Sequence, residues 1–143
     1  MSINFIAGEQ ISKALMETFR VYLCGNLILP QPELRWIHDE HIEVGISRYA
    51  SFVADTPHLH KCATEYNYIL TGMSKILFVE DDEERTVEQG SLFVVPPNTK
   101  YATKHLANIQ ILFWKVPGGN DKHLIDITSQ LKDWIETWET TDC

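Results

Sequence analysis

The stretch His58-Leu59-His60-Lys61-Cys62-Ala63-Thr64-Glu65, followed by Gly72, decides how this sequence is interpreted. Side chains on an extended strand repeat every second residue, so His58 and His60 share one face. A four-residue turn would bring Glu65 back on the next antiparallel strand, close to both imidazoles. Two histidines and one carboxylate on one face can hold a divalent transition metal and leave coordination positions open. The sequence therefore predicts one metal per chain at His58, His60 and Glu65, with Fe, Zn, Mn, Ni or Cu as candidates.

Strand signals surround this stretch from residue 42 to residue 116. Apolar and polar side chains alternate in short segments, and turn residues such as Gly72, Gly90 and Asn98 separate these segments. The predicted strands are 42–46, 66–70, 75–79, 86–88, 91–95 and 109–116. Many short strands at short intervals predict an all-β sandwich or barrel.

Different patterns flank the strand region. Residues 9–19 carry apolar side chains four apart and predict a short helix, and the apolar run 21–29 predicts a strand or an extended arm. Residues 128–139 have the apolar spacing of an amphipathic helix, with Asp126 or Thr128 as its N-cap. This C-terminal helix presents two tryptophans on one side. It is interpreted as closing the end of the barrel or as a contact between subunits.

Composition limits the class of protein. A chain of 143 residues with a predicted barrel core at 42–116 fits one domain, 1–143. Twelve basic against twenty acidic residues give a formal charge of −8, so nucleic acid is not an expected partner. Cys24, Cys62 and Cys143 are odd in number and unpaired in spacing, which favours a reducing compartment. The sequence begins without a signal-peptide pattern and has no membrane-spanning run, so we expect a cytoplasmic protein without a membrane partner.

The spacing H-x-H-x4-E-x6-G, formed by His58, His60, Glu65 and Gly72, resembles the first motif of the cupin family. Gly90-x5-Pro96 resembles the opening of the second motif. The resemblance covers residues 42–116 and implies a small antiparallel jelly-roll barrel with a metal inside. It also implies binding of a small organic molecule, with a metal-dependent reaction such as oxygenation or isomerisation. Small cupins resemble non-catalytic sugar or metabolite binding modules and assembly or regulatory subunits equally well, so these alternatives stay open.

The second motif departs from the family pattern. Tyr101 stands where the fourth metal ligand is normally histidine, His105 stands where asparagine is expected, and Asn98 replaces a glycine. Tyr101 is open to three interpretations: a metal ligand, a hydrogen-bond donor beside a three-ligand metal, or the mark of a degenerate pocket that binds metal weakly or not at all. His105 shares strand parity with Tyr101 but lies about 13 Å further along, so it could replace the ligand only if the strand bulged. Both residues are candidates for proton transfer.

Two further residues are candidates for the pocket wall. Asn67 shares the parity of Glu65 and should face the cavity. Lys115 interrupts an apolar strand, where a lysine must extend to solvent or meet an anion. We also expect a homodimer, because the arm 21–29 could cover the exposed sheet edge of a neighbour.

Overall fold

The computed structural model describes residues 4–139 and consists mainly of β-strands. Its two helices are α1 (Gly8–Glu17) and α2 (Ser129–Glu136). Its strands are β1 (Arg20–Gly25), β2 (Ile37–His38), β3 (Glu43–Tyr49), β4 (Val53–Ala54), β5 (His58–His60), β6 (Thr64–Thr71), β7 (Met73–Phe78), β8 (Glu83–Glu88), β9 (Leu92–Val95), β10 (Tyr101–His105), β11 (Ile109–Val116) and β12 (Lys122–Leu124).

The strands form two sheets that face each other. The first sheet has the order β2-β1-β3-β11-β6-β9, and the second has the order β12-β5-β10-β7-β8, with β4 also beside β10. Among the described residues, the strand pairs are antiparallel except for the short pair β1–β2. The prediction of an antiparallel jelly-roll barrel is confirmed. Both sheets also take strands from outside the predicted core of 42–116.

Two turn residues explain how the chain reverses between strands. Gly72 has φ 88°, and a β-carbon there would lie 3.0 Å from the backbone of Ile109, so the turn between β6 and β7 requires glycine. Asn98 has φ 60°, the left-handed conformation that asparagine tolerates well. The replacement of glycine by asparagine in the second motif therefore preserves the turn.

The barrel interior changes from apolar to polar along its length. At one end, inward-facing side chains from both sheets form a close-packed core that includes Ile69, Ile76 and Ile109. Further along β11, the inward positions are Phe113 and then Lys115, which lines a cavity. Apolar packing closes one half of the barrel, and the other half is free to bind a ligand.

Of the segment 21–29, predicted as a strand or an extended arm, residues 21–25 belong to the first sheet. Arg20–Gly25 pairs with β3, and its Val21 is fully buried against Ala14 and Leu15 of α1. The expectation that this segment covers a neighbour's edge is wrong for Arg20–Gly25, because those backbone groups are hydrogen-bonded within the chain. The homodimer stays a prediction without that support.

The C-terminal helix packs on the outer face of the second sheet and does not close the barrel end as predicted. Leu131 and Trp134 contact Leu77 and Ala102 of that sheet. Thr128 is the N-cap, accepting from the backbone N–H of Leu131 at 3.2 Å. The buried Nζ of Lys104 donates to the carbonyl oxygens of Trp134 and Thr137, both at 2.8 Å. The sheet therefore holds the helix by apolar contacts and by satisfying its C-terminal carbonyls.

The structure also bears on the predictions about membrane-spanning segments and cysteines. Within residues 4–139, no helix has the length and apolar character needed to cross a membrane. Cys24 and Cys62 are free thiols. Cys143 and the first three residues of the chain lie outside the described residues.

Candidate metal centre and its cavity

Three predicted ligands come together between the two sheets. Potential ligand atoms of His58, His60 and Glu65 all lie within 4.8 Å of one another. The two imidazole centroids are 5.0 Å apart and the rings are nearly perpendicular, at 87°. One detail of the prediction is wrong: β5 and β6 do not form a hairpin. β5 pairs with β10 and β12, whereas β6 pairs with β11 and β9, so the intervening turn crosses from one sheet to the other.

Hydrogen bonds fix the orientation of both imidazoles. The Nδ1 of His58 lies 2.6 Å from the carbonyl oxygen of Thr56, and the Nδ1 of His60 lies 2.8 Å from Oδ1 of Asp121. Because a carbonyl or carboxylate oxygen can only accept, each Nδ1 carries a proton. Each Nε2 is then directed into the cluster, and that of His60 lies 3.1 Å from Oε2 of Glu65. Histidines that bind a metal through one ring nitrogen commonly donate a hydrogen bond from the other ring nitrogen in this way.

Asp121 supports the cluster and was not indicated by the sequence analysis. Its Oδ2 accepts the backbone N–H groups of Cys62 and Ala63, at 2.9 and 2.8 Å, while its Oδ1 accepts from His60. Although burial opposes ionisation, these hydrogen bonds lower the pKa of Asp121 to about 2. The carboxylate thus holds both the turn and an imidazole. Asp121 lies in the loop that follows β11. It is 61 residues from His60 in sequence, so no local spacing pattern could have linked the two residues.

Tyr101 lies inside the cluster, beside the three predicted ligands. It is paired in register with His58, and its hydroxyl lies 2.8 Å from the Nε2 of that histidine and donates to Oε2 of Glu65. Burial raises the pKa of Tyr101 well above its usual value, and the adjacent Glu65 carboxylate raises it further. The side chain is therefore a neutral phenol. This geometry supports its interpretation as a hydrogen-bond donor beside the ligands.

With both imidazoles neutral, the cluster contains more acceptors than protons to satisfy them. The Nε2 of His58 has no proton, and burial lowers the pKa of this imidazole. Glu65 is ionised: burial opposes this, but His60 and Tyr101 lower the pKa of the carboxyl. The single proton of Tyr101 can satisfy only one of these acceptors. A divalent cation would satisfy all of them, so the donor set fits Fe, Zn, Mn or Ni.

His60 offers the alternative way of balancing this charge. Burial lowers its pKa, but the opposing effects of Glu65 and Asp121 are larger, and the pKa of His60 is raised. An imidazolium at His60 would supply the cluster with one additional proton. Protonation of the Nε2 of His60 and metal binding by that nitrogen therefore exclude each other.

A cavity of about 670 Å³ opens beside the cluster and is lined by both predicted pocket residues. Asn67 is buried on its wall. Lys115 is also buried, and its Nζ lies 3.0 Å from Oε2 of Glu43 and donates to the carbonyl oxygen of Gly119 at 2.8 Å. Of the two outcomes considered for Lys115, the structure shows contact with an anion. A cavity of this volume can enclose a small organic molecule.

His105 lines the same cavity but does not join the metal cluster. Its Nε2 lies 3.0 Å from Oδ2 of Asp55, and its Nδ1 lies 2.7 Å from Oγ of Ser74. β10 pairs with β7 in unbroken register, so there is no bulge to carry His105 towards Tyr101. Both ring nitrogens are engaged in this second polar cluster, which Thr103 completes by donating to Asp55 at 2.8 Å.

Solved structures resemble this chain in fold. A protein from Bacillus halodurans has a TM-score of 0.60 and 12% identity, covering 81% of this chain and 83% of its own. KdgF from Halomonas sp. has a TM-score of 0.54 and 20% identity, covering 60% and 77%. A cupin superfamily protein from Desulfitobacterium hafniense has a TM-score of 0.51 and 16% identity, covering 69% and 78%.

These likenesses define the fold. The chain has the cupin fold, so the resemblance inferred from the two sequence motifs is confirmed at that level. No protein-family model matches the sequence, and no curated protein matches it.

Proposed function

We propose that this protein binds one divalent transition metal through His58, His60 and Glu65 and takes a small organic molecule into the adjoining cavity. The convergence of two imidazoles and a carboxylate, with each imidazole held through its Nδ1, is the observation that carries the proposal. Three acceptor side chains meet within 4.8 Å, and a cation would satisfy them together.

The surrounding residues would orient a ligand at this centre. When bound, a metal of this class polarises a carbonyl or hydroxyl oxygen of the ligand or activates O₂. Tyr101, as a neutral phenol, can donate to Glu65 or to an oxygen of the ligand. Asn67 and Lys115 lie on the cavity wall, and the ion pair with Glu43 holds the lysine in place. Catalysis of an oxygenation or an isomerisation is the finer form of this proposal.

Titration of the wild-type protein with metal tests the proposal directly. After removal of metal by a chelator, we expect calorimetry to give one saturable site per chain for at least one of Fe(II), Zn(II), Mn(II) and Ni(II). Fe(II) is titrated without oxygen. Absence of a saturable site for all four metals would contradict the proposal.

The variant Asp121→Asn is expected to weaken metal binding by about 10- to 100-fold. Asp121 accepts from His60 on one oxygen and from two backbone N–H groups on the other. The asparagine amide has one accepting oxygen and one donating NH₂ group. Its NH₂ group would therefore face an N–H donor at one of these contacts, and that hydrogen bond would be lost. Metal titration of the variant measures the effect. Asp133→Asn, on the exposed side of α2, is the matched control, and equal affinities in the two variants would show that Asp121 does not support the site.

A further inference from the structure

Two cationic side chains on the cavity wall form no ion pair within 4.0 Å among residues 4–139, although the Asp55 carboxylate acts on both of them at longer range. Arg20 of β1 and Lys122 of β12 both line the cavity. Within the described part of the chain, neither lies within 4.0 Å of a carboxylate, whereas Lys115 on the same wall is paired with Glu43. The two strands belong to different sheets, so the two cations approach the cavity from opposite sides.

The guanidinium of Arg20 is held in position but keeps free donors. Its Nε–H donates to Oγ of Ser47 at 3.0 Å, and its Nη2 donates to the hydroxyl of Tyr49 at 3.4 Å. The guanidinium carbon lies 5.2 Å from the centre of the Phe113 ring. An arginine has five N–H donors, so three remain available on a fixed, planar group. Such a group is suited to bidentate binding of a carboxylate.

Lys122 places a second positive charge near the metal cluster. It is paired in register with His60, so the two side chains share a face of the second sheet. Partial dehydration at the cavity wall lowers the pKa of Lys122, and the nearby charge of Arg20 lowers it further. Both cations line the same cavity, where their like charges oppose each other. Binding of an anion between them would remove that repulsion.

The nearby acidic groups of the cavity already have partners. Asp55 is bonded to His105 and Thr103, and Glu65 belongs to the metal cluster. These two carboxylates would repel a phosphate dianion more strongly than a single carboxylate. A chain with a net charge of −8 also repels anions at long range, so a local pair of cations is what an anionic ligand would need.

We propose that Arg20 and Lys122 bind the carboxylate of a small organic acid whose remaining oxygen atoms reach the metal cluster. This inference rests on the proposed function and names its ligand class. Glu43 and Lys115 are at the level of Glu65, and Ser47, the partner of Arg20, lies four residues further along β3. That separation is about 13 Å between backbones. The Arg20 guanidinium lies 5.2 Å from the centre of the Phe113 ring, and Phe113 is paired with Gly45, midway between these two levels. A small organic acid can therefore contact both the Arg20 guanidinium and the metal cluster.

Binding of acids and their neutral amides to the zinc-saturated protein tests this inference. The probes are lactate, malate, 2-oxoglutarate and gluconate, each compared by calorimetry with its amide, together with inorganic phosphate. We expect at least one acid to bind while its amide does not. Arg20→Gln and Lys122→Gln should each weaken that binding about tenfold or more. Lys132→Gln, which removes an exposed lysine of α2, should leave it unchanged.

The inference is overturned if no acid binds, if amides bind as well as acids, or if phosphate binds more tightly than every acid. It is also overturned if both variants bind the acid as the wild type does. Lys122→Gln breaks no side-chain hydrogen bond of the described residues, so it reports on charge even if Arg20→Gln folds poorly. Metal content is measured on the same samples. Loss of metal binding would refute the proposed function, whereas loss of acid binding with full metal content would refute only the ligand class.

Discussion

The double variant His58→Ala/His60→Ala is expected to lose its metal, with bound metal falling from about one equivalent per chain to background. Each imidazole directs its Nε2 towards Glu65, and a carboxylate with one phenol is a poor site for a transition metal. Elemental analysis of protein purified without chelator or nickel resin measures the change. Wild-type protein from the same preparation supplies the reference.

Two controls separate loss of ligands from loss of fold. His123→Ala removes an exposed histidine of β12, and we expect it to retain full metal content. Circular dichroism must show a folded double variant, because the substitutions leave the Thr56 carbonyl and Asp121 without their imidazole partners. Glu65→Gln, which preserves size, gives an independent measurement. Retention of stoichiometric metal in a folded double variant would show that the metal lies elsewhere.

The variant Gly45→Ala is expected to reduce the free energy of unfolding by about 3 kcal/mol. A β-carbon at this position would overlap Cζ of Phe113 and would lie 2.8 Å from the carbonyl oxygen of Val21. Moving the ring would disturb its contacts with Tyr22 and the Arg20 guanidinium, and the carbonyl belongs to β1, which is hydrogen-bonded to β3. Glycine is required here because two strands and an aromatic ring approach closely. Urea denaturation followed by fluorescence measures the effect.

Gly8→Ala is the matched control for this substitution. No atom lies within 4 Å of the β-carbon that it would add at the start of α1. We expect its free energy of unfolding to stay within about 0.5 kcal/mol of the wild-type value. If Gly45→Ala were as stable as this control, the close approach of Phe113 would not limit the barrel.

Local patterns in the sequence predicted much of the barrel. Alternation of apolar and polar residues located β3, β6, β7, β8, β9 and β11 to within a few residues, because each is long enough to show its period. The strands β2, β4 and β12 contain only two or three residues and have no detectable period. Glycine and asparagine located the turns, since their positive φ values depend on residue type.

The candidate site was predictable only where its parts are close in sequence. His58, His60 and Glu65 lie within eight residues, so their spacing was enough to group them. The same spacing could not indicate whether the turn returns within one sheet or crosses to the other. Asp121 is brought to His60 by the pairing of β12 with β5, a long-range contact. Arg20 was missed because it lies between the predicted helix 9–19 and the predicted strand or arm 21–29 and has no local spacing to the cluster.

The crossing turn between β5 and β6 places ligands from both sheets around one point. Ion binding and barrel closure are then thermodynamically linked, because the unfolded chain does not preserve this arrangement. At a free metal concentration 100 times the dissociation constant, this linkage adds about 2.7 kcal/mol to the stability of the native state. The availability of metal in the surroundings would thus set the fraction of chains in which the two sheets are closed, as well as what the cavity can bind.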